Sequence, residues 1–319
     1  MESLLDKIAE RVDSRFLVTL LFPTFVFLLA IGVLVGAQLR CDRVLDWLDE
    51  LEGSRQVLVF GGAASVWLLL VSILATATHA LVRFYEGYWG RGPIGRFFNG
   101  IGVRLQKARL KRLCEENSDE AYAKCYYTMP PDGDLLPTQF GNTLRAAESY
   151  PGDPERYGVD AVFFWPRLYL ILPDTVRTTV GSARADIDRS LLTTTLAALA
   201  AASALGFGLY GNVGRETWIP IAVGALIVAR LSYGSAQRAA IVFGEILRAC
   251  FDLYRRPLLT SMGLELPETL EDERRVWTAL GQQLYRRGTA QPELLKFSKK
   301  PAPPPAEEGG KGEAGQEGE

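Results

Sequence analysis

An uncharged run from Phe16 to Leu39, FLVTLLFPTFVFLLAIGVLVGAQL, constrains this chain more than any other feature. At about 1.5 Å per helical residue, its 24 positions are long enough to cross a hydrocarbon core of about 30 Å. A cleaved signal peptide would have a shorter apolar region, a basic segment ahead of it and small residues after it. Here the run is longer, and the residues before it balance acids with bases. It is therefore expected to be a membrane span over 16–39.

Three more segments follow the same logic. Residues 56–82 contain no charge apart from His79 when protonated, giving a second span. Residues 191–210, LLTTTLAALAAASALGFGLY, form a third, with Ala198, Ala202 and Gly206 at every fourth position. Such a small-residue face lets helix backbones approach closely in lipid, so it is expected to pack on a helix of the same chain in preference to a second copy. The fourth span, 218–234, is interrupted by Arg230 and rests partly on charge topology. Lys7, Arg11, Arg15, Arg83, Arg91, Arg96, Arg177, Arg184, Arg189, Arg238 and Arg248 flank one side, against Arg40, Arg43, Arg55 and Arg215 on the other. The positive-inside bias then places both termini in the cytoplasm of a cell-membrane protein.

The expected fold class is an all-α membrane protein: four transmembrane helices in two hairpins, a mainly helical cytoplasmic insertion and a disordered C-terminal tail. Its segments are 1–82 (N-terminal segment and first hairpin), 83–190 (insertion), 191–235 (second hairpin), 236–295 (cytoplasmic helices) and 296–319 (tail). Between the first two spans, Val44, Leu48 and Leu51 recur at helical spacing, as in a short amphipathic helix on the membrane surface. Residues 174–190 run as a helix into the third span, the fourth continues past Ser235, and a further helix is expected over 267–287. The tail, rich in Pro, Gly and Glu, cannot bury enough apolar surface to fold.

Composition excludes several functional classes. With 35 basic and 37 acidic side chains there is no electrostatic footprint for nucleic acid. One histidine and four cysteines at spacings that no zinc family uses predict no metal site, and no cofactor is expected. Gly90, Gly92 and Gly95 spell GxGxxG, but a membrane helix precedes them and Pro93 sits in the turn, so an interfacial hinge is expected in place of a dinucleotide site. His79 and Arg230 are the intramembrane polar candidates. Arg230 lies about 18 Å beyond Trp218 along a helix axis, where it either snorkels toward the inner headgroups or Asp188, or lines a pore. Pro23 is expected to free a backbone carbonyl within the first span.

The densest polar and aromatic stretch runs from Leu136 to Asp174. Asn142, Arg145 and Glu148 share a helix face, and Arg145 can pair with Glu148 at i, i+3. Tyr157 and Asp160 follow a turn. Residues 161–172, with Trp165 and Arg167, are too few to span and read as domain core, an interfacial segment or a ligand site. Asn142, Arg145, Glu148, Tyr157, Asp160, Trp165 and Arg167 are the candidate ligand or partner surface.

At Pro137, Thr138, Gly141, Asn142, Arg145 to Glu148, Arg156 to Gly158, Asp160 and Trp165 to Leu168, the chain resembles an uncharacterised family of bacterial, often actinobacterial, multi-pass membrane proteins with PT-x-x-GN-x-x-RAAE, RYG-x-D and WPRL elements. The resemblance covers some 40 residues and the layout of spans, and implies an architecture without an activity. The expected partners are the lipid bilayer, a cytoplasmic protein and further copies of the chain in a homo-oligomer. The expected function is a non-enzymatic scaffold or receptor-like protein. An oligomeric channel or pore-forming effector is the alternative, and a membrane-embedded enzyme, lacking GxSxG, HExxH or a P-loop lysine, a third class.

Overall fold

Long apolar runs without interior charge form helices because every backbone group is then satisfied within one segment. The computed structural model follows this rule. It describes residues 20–39, 53–90, 92–116, 118–131, 134–286, 288 and 291–298. The helices are α1 (Phe22–Leu39), α2 (Gly53–Glu86), α3 (Pro93–Glu116), α4 (Asp119–Thr128), α5 (Gln139–Ser149), α6 (Ala161–Ile171), α7 (Asp174–Tyr210), α8 (Arg215–Ser261) and α9 (Leu270–Arg286). A 3₁₀ turn follows at Pro292–Leu294. Among the described residues there is no strand, only a bridge between Leu264 and Phe297. Among the described residues four helices are long and apolar enough to cross a membrane: α1, α2 from Arg55, α7 and α8. The amphipathic segment expected between the first two spans lies outside the described residues.

The chain divides into two compact units. The first comprises residues 1–147 and 175–247, the second 148–174 and 248–319. Both long helices run unbroken through the ends of the expected spans, α7 from Asp174 and α8 to Ser261, as the sequence pattern anticipates.

In the first unit α1 packs on α2 through Phe25 and Trp67, whose rings lie 5.7 Å apart. At the start of α1 the Thr24 hydroxyl bonds to the carbonyls of Leu20 and Leu21, at 2.6 and 2.9 Å, and accepts a hydrogen bond from Trp67 Nε1 at 3.0 Å. The carbonyl that Pro23 frees is that of residue 19, which lies outside the described residues. Near the turn between α7 and α8, Leu34, Ala204, Val213 and Ala222 form one buried cluster. Toward the other end Val82, Phe140, Leu144, Ile187, Leu191, Ala236 and Ala240 form a second, which brings α2, α5, α7 and α8 together.

The face of α7 that packs inside the chain is not the expected one. Ala197, Ala200, Ala201 and Ala204 are buried with Leu192 and Leu196, whereas Ala198 and Ala202 are exposed and Gly206 has open space beside it. Alanine is so abundant here that small residues occupy several faces. The larger apolar contacts of Leu192 and Leu196 select the buried one.

The joint between α2 and α5 explains an otherwise odd cluster of residues. Thr138 Oγ1 donates to the last carbonyls of α2, Tyr85 at 2.7 Å and Glu86 at 3.0 Å, and accepts from the Gly141 amide at 3.0 Å. Gly87 has a φ of 100°, a conformation that excludes most side chains, and a Cβ there would stand 2.3 Å from Pro137. Asn142 is fully buried and closes the preceding loop, accepting from the Leu136 amide at 2.7 Å and donating to the Leu136 carbonyl at 2.9 Å. Of the GxGxxG glycines, Gly90 and Gly92 lie between α2 and α3 and Gly95 in the first turn of α3, where a Cβ would stand 2.5 Å from the Trp89 carbonyl. A helix precedes that turn where a dinucleotide site needs a strand.

One boundary moves. Residues 296–298, assigned to the tail by composition, pair with the segment just past α8: the Glu265 amide donates to the Lys296 carbonyl and the Ser298 amide to the Gly263 carbonyl, each at 2.8 Å. Backbone pairing needs no apolar side chain, so a composition rule misses it. Residues 299–319 lie outside the described residues.

Candidate docking surface

The second unit is built on a helix that begins with its own cap. The Asp160 carboxylate accepts from the Phe163 amide at 3.1 Å, which satisfies one of the free N–H groups that start α6. Pro166 lies inside α6 and removes a backbone donor there. Arg167 Nη1 donates to the neighbouring Phe163 carbonyl at 2.8 Å. One side of α6 is apolar and buried at Phe164 and Leu168; the Phe164 ring meets that of Trp277 on α9 edge-on at 5.0 Å. Residues 161–171 are thus half buried: Val162 and Leu170 on the other side are exposed.

Beside this contact lies a connected polar network. The Tyr150 and Tyr157 hydroxyls both donate to Asp252, at 3.2 and 2.9 Å. Arg255 Nε donates to Glu273 Oε1 at 2.9 Å, and its guanidinium lies 3.8 Å from the Tyr157 ring centroid. Arg156 stacks over Tyr150 at 4.2 Å, and Arg274 Nε holds the Arg156 carbonyl at 2.7 Å. Glu273 is buried and also lies 3.4 Å from Trp277 Nε1, which donates to it. Burial pushes the Tyr157 phenol above its ordinary range, and its bond to Asp252 acts in the same direction. Tyr157 therefore stays protonated at neutral pH and acts as a donor. With every member committed to another, the network fixes α8, α9 and the 150–158 turn within this unit.

A cavity of about 720 Å³ opens between α6 and α9. Phe163, Phe164, Trp277 and Tyr285 give it aromatic walls, and Asp160, Arg167 and Arg286 supply its charges. Its size suits a drug-sized molecule or a few side chains of another protein. Arg167 lies 4.3 Å over the Phe163 ring, so the cation is held at the wall.

The residues singled out in the sequence do not all meet. Asp160 and Arg167 line the cavity, and Tyr157 belongs to the network beside it. Trp165 lies on Phe251, at 6.2 Å, and on Tyr169, at 5.8 Å. Asn142 and Arg145 belong to the first unit, where Arg145 pairs with Asp134 at 2.7 Å; Glu148 begins the second unit. Asp252, Arg255, Glu273, Trp277, Tyr285 and Arg286 escaped the sequence reading. The apolar stripe of Val276, Trp277 and Leu280 was the one available signal for α9 as a wall. In the first unit Asp188 pairs with Arg184 at 3.3 Å, and Arg230 turns along its own helix. His79 is exposed on α2. Among the described residues no group of three His, Cys, Asp or Glu side chains could hold a metal.

No protein-family model, no curated protein and no solved structure matches this chain.

Proposed function

We propose that this chain is a multi-pass cell-membrane protein with both termini in the cytoplasm, and that it works as a non-enzymatic docking protein. Its α6–α9 cavity takes a short amphipathic segment of a cytoplasmic protein. The observation that carries this reading is the pairing of aromatic walls with wall-held charge: Phe163, Trp277 and Tyr285 offer apolar contact, while Arg167 and Arg286 outnumber Asp160. A segment with apolar anchors and an acidic flank is the complementary shape. The network around Tyr157 and Glu273 contains no activated nucleophile, and its raised phenol and committed ion pair favour positioning over catalysis.

One feature supports the membrane arrangement. Exposed Ile94, Phe97 and Phe98 at the start of α3 suit an interfacial position just past the second span. The same reading makes 83–190 a cytoplasmic insertion and pairs the spans as two hairpins. Membership of the multi-pass family with the PT-x-x-GN element is part of the proposal, because Thr138, Gly141 and Asn142 are the residues this joint requires.

The test is a photoreactive amino acid at Val162 or Tyr285 in the full-length protein in its host. A discrete protein adduct that disappears when Gly281→Trp fills the cavity supports docking. Adducts unchanged by Gly281→Trp, or none, contradict it.

A second reading, self-association as a scaffold or pore, is favoured by one observation: Ala198, Ala202 and Gly206 face outward in this chain. Small-xxx-small faces are a common basis of helix pairing in lipid. Purified protein that conducts ions in liposomes would support the pore form, and silent vesicles would leave docking as the account.

A further inference from the structure

Arg230, Gly234 and Arg238 lie on one face of α8 at four-residue spacing. The two guanidinium groups turn toward each other over the glycine. Arg230 Nη1 lies 3.6 Å, and Arg238 Nη1 3.7 Å, from the position a Cβ on Gly234 would take, with no other side chain inside 4 Å. The two like charges are therefore no farther apart than the sum of those distances. Among the described residues neither arginine has an ion pair. Both are exposed.

Two cations brought this close without a carboxylate repel each other, and more strongly as water is excluded. An anion between them reverses the sign of the interaction. Guanidinium forks match phosphate oxygens in geometry, and glycine leaves room for the oxygens to approach the helix. Depth identifies the source of the phosphate. With Trp218 at one interface, Gly234 lies about 24 Å and Arg238 about 30 Å further along the axis, at the opposite headgroup level. On the Trp218 side the helix surface continues with exposed Val223, Ile227 and Leu231, an apolar track for an acyl chain.

We propose that Arg230 and Arg238 clasp the phosphate of an anionic phospholipid over Gly234, with an acyl chain along Val223 and Ile227. This assigns Arg230 a role in lipid binding in place of one in a pore. It rests on α8 crossing the bilayer and is independent of the α6–α9 cavity, so either proposal can fail alone.

Full-length protein in mild detergent, offered equal phosphatidylglycerol and phosphatidylcholine and read by native mass spectrometry, tests it. Wild type should retain phosphatidylglycerol over phosphatidylcholine by about tenfold or more. Arg230→Gln with Arg238→Gln should bring the ratio near parity. Gly234→Leu, which keeps both charges and fills the space between them, should do the same, while Arg230→Lys with Arg238→Lys should retain part of the preference. Melting in phosphatidylcholine alone identifies any variant that fails to fold, and the remaining variants then decide. An unchanged ratio in folded Gly234→Leu and in the glutamine pair would overturn the clasp. Abolition of the preference by millimolar inorganic phosphate would assign the site to free phosphate and overturn the lipid.

Discussion

Arg255 reaches across the second unit to Glu273, Nε to Oε1 at 2.9 Å, and both side chains are largely withdrawn from solvent. The pair joins α8 to α9, and Trp277, one turn after Glu273, donates to the same carboxylate oxygen. An ion pair in this position specifies which faces of the two helices meet, because an alternative register would strand a buried charge.

Removal of one partner should therefore be costly. Glu273→Ala leaves the Arg255 cation without its carboxylate and is expected to destabilise the second unit by about 3–5 kcal/mol. Limited proteolysis of the full-length protein should show cleavage between 248 and 298 at lower protease. The double variant Arg255→Leu with Glu273→Leu should recover most of the protection; equal sensitivity of single and double variants would remove the pairing from the account.

The Tyr157 phenol sets an alkaline limit. Its pKa is raised from the ordinary value of 10.0, chiefly by burial, so the folded state holds the proton more tightly than the unfolded chain. Stability is full below the ordinary phenol value and falls as pH climbs from there through the raised one. Tyr157→Phe should cost about 0.5–1.5 kcal/mol at neutral pH and flatten that alkaline fall, as seen in unfolding midpoints against pH. An unaltered alkaline slope in the variant would contradict the assignment.

At the joint between α2 and α5, a single methyl group should suffice to disrupt packing. A Cβ on Gly141 would lie 2.2 Å from the Glu86 carbonyl oxygen, a backbone atom that cannot swing aside. Gly141→Ala is expected to cost about 1–3 kcal/mol or more, while Thr138→Ser, which keeps the hydroxyl on the α2 carbonyls, should stay near wild type. Thermal unfolding in detergent distinguishes the two.

The outward small face of α7 predicts association in the membrane. Ala202→Leu should lower the oligomer fraction in crosslinking of native membranes, whereas Ala201→Leu, on the buried face, should instead reduce yield of folded protein. Equal oligomer fractions in wild type and Ala202→Leu would argue against this face as the contact.

What the sequence makes legible follows the physics of each element. Charge-free length locates the apolar helices, and helical spacing past Ser235 anticipates the extension of α8 to Ser261. The side of α7 that packs is not legible, since alanine on several faces gives the pattern no direction. Nor is Arg255–Glu273, because a buried charge is encoded by its partner across the fold and not by its neighbours in the chain. Thr138, Gly141 and Asn142 stand out in the sequence as a block. Their task as cap, close approach and loop closure emerges only once α2 and α5 meet.

The arrangement across the membrane is tested most directly by cysteine accessibility in intact cells. In a background with all four native cysteines replaced by serine, Tyr210→Cys sits at the exposed end of α7 and Tyr285→Cys on the wall of the α6–α9 cavity. A membrane-impermeant maleimide should label residue 210 on whole cells and reach residue 285 only after permeabilisation. Labelling of residue 285 from outside, or protection of residue 210 in intact cells with labelling after lysis, would contradict a docking surface on the cytoplasmic side.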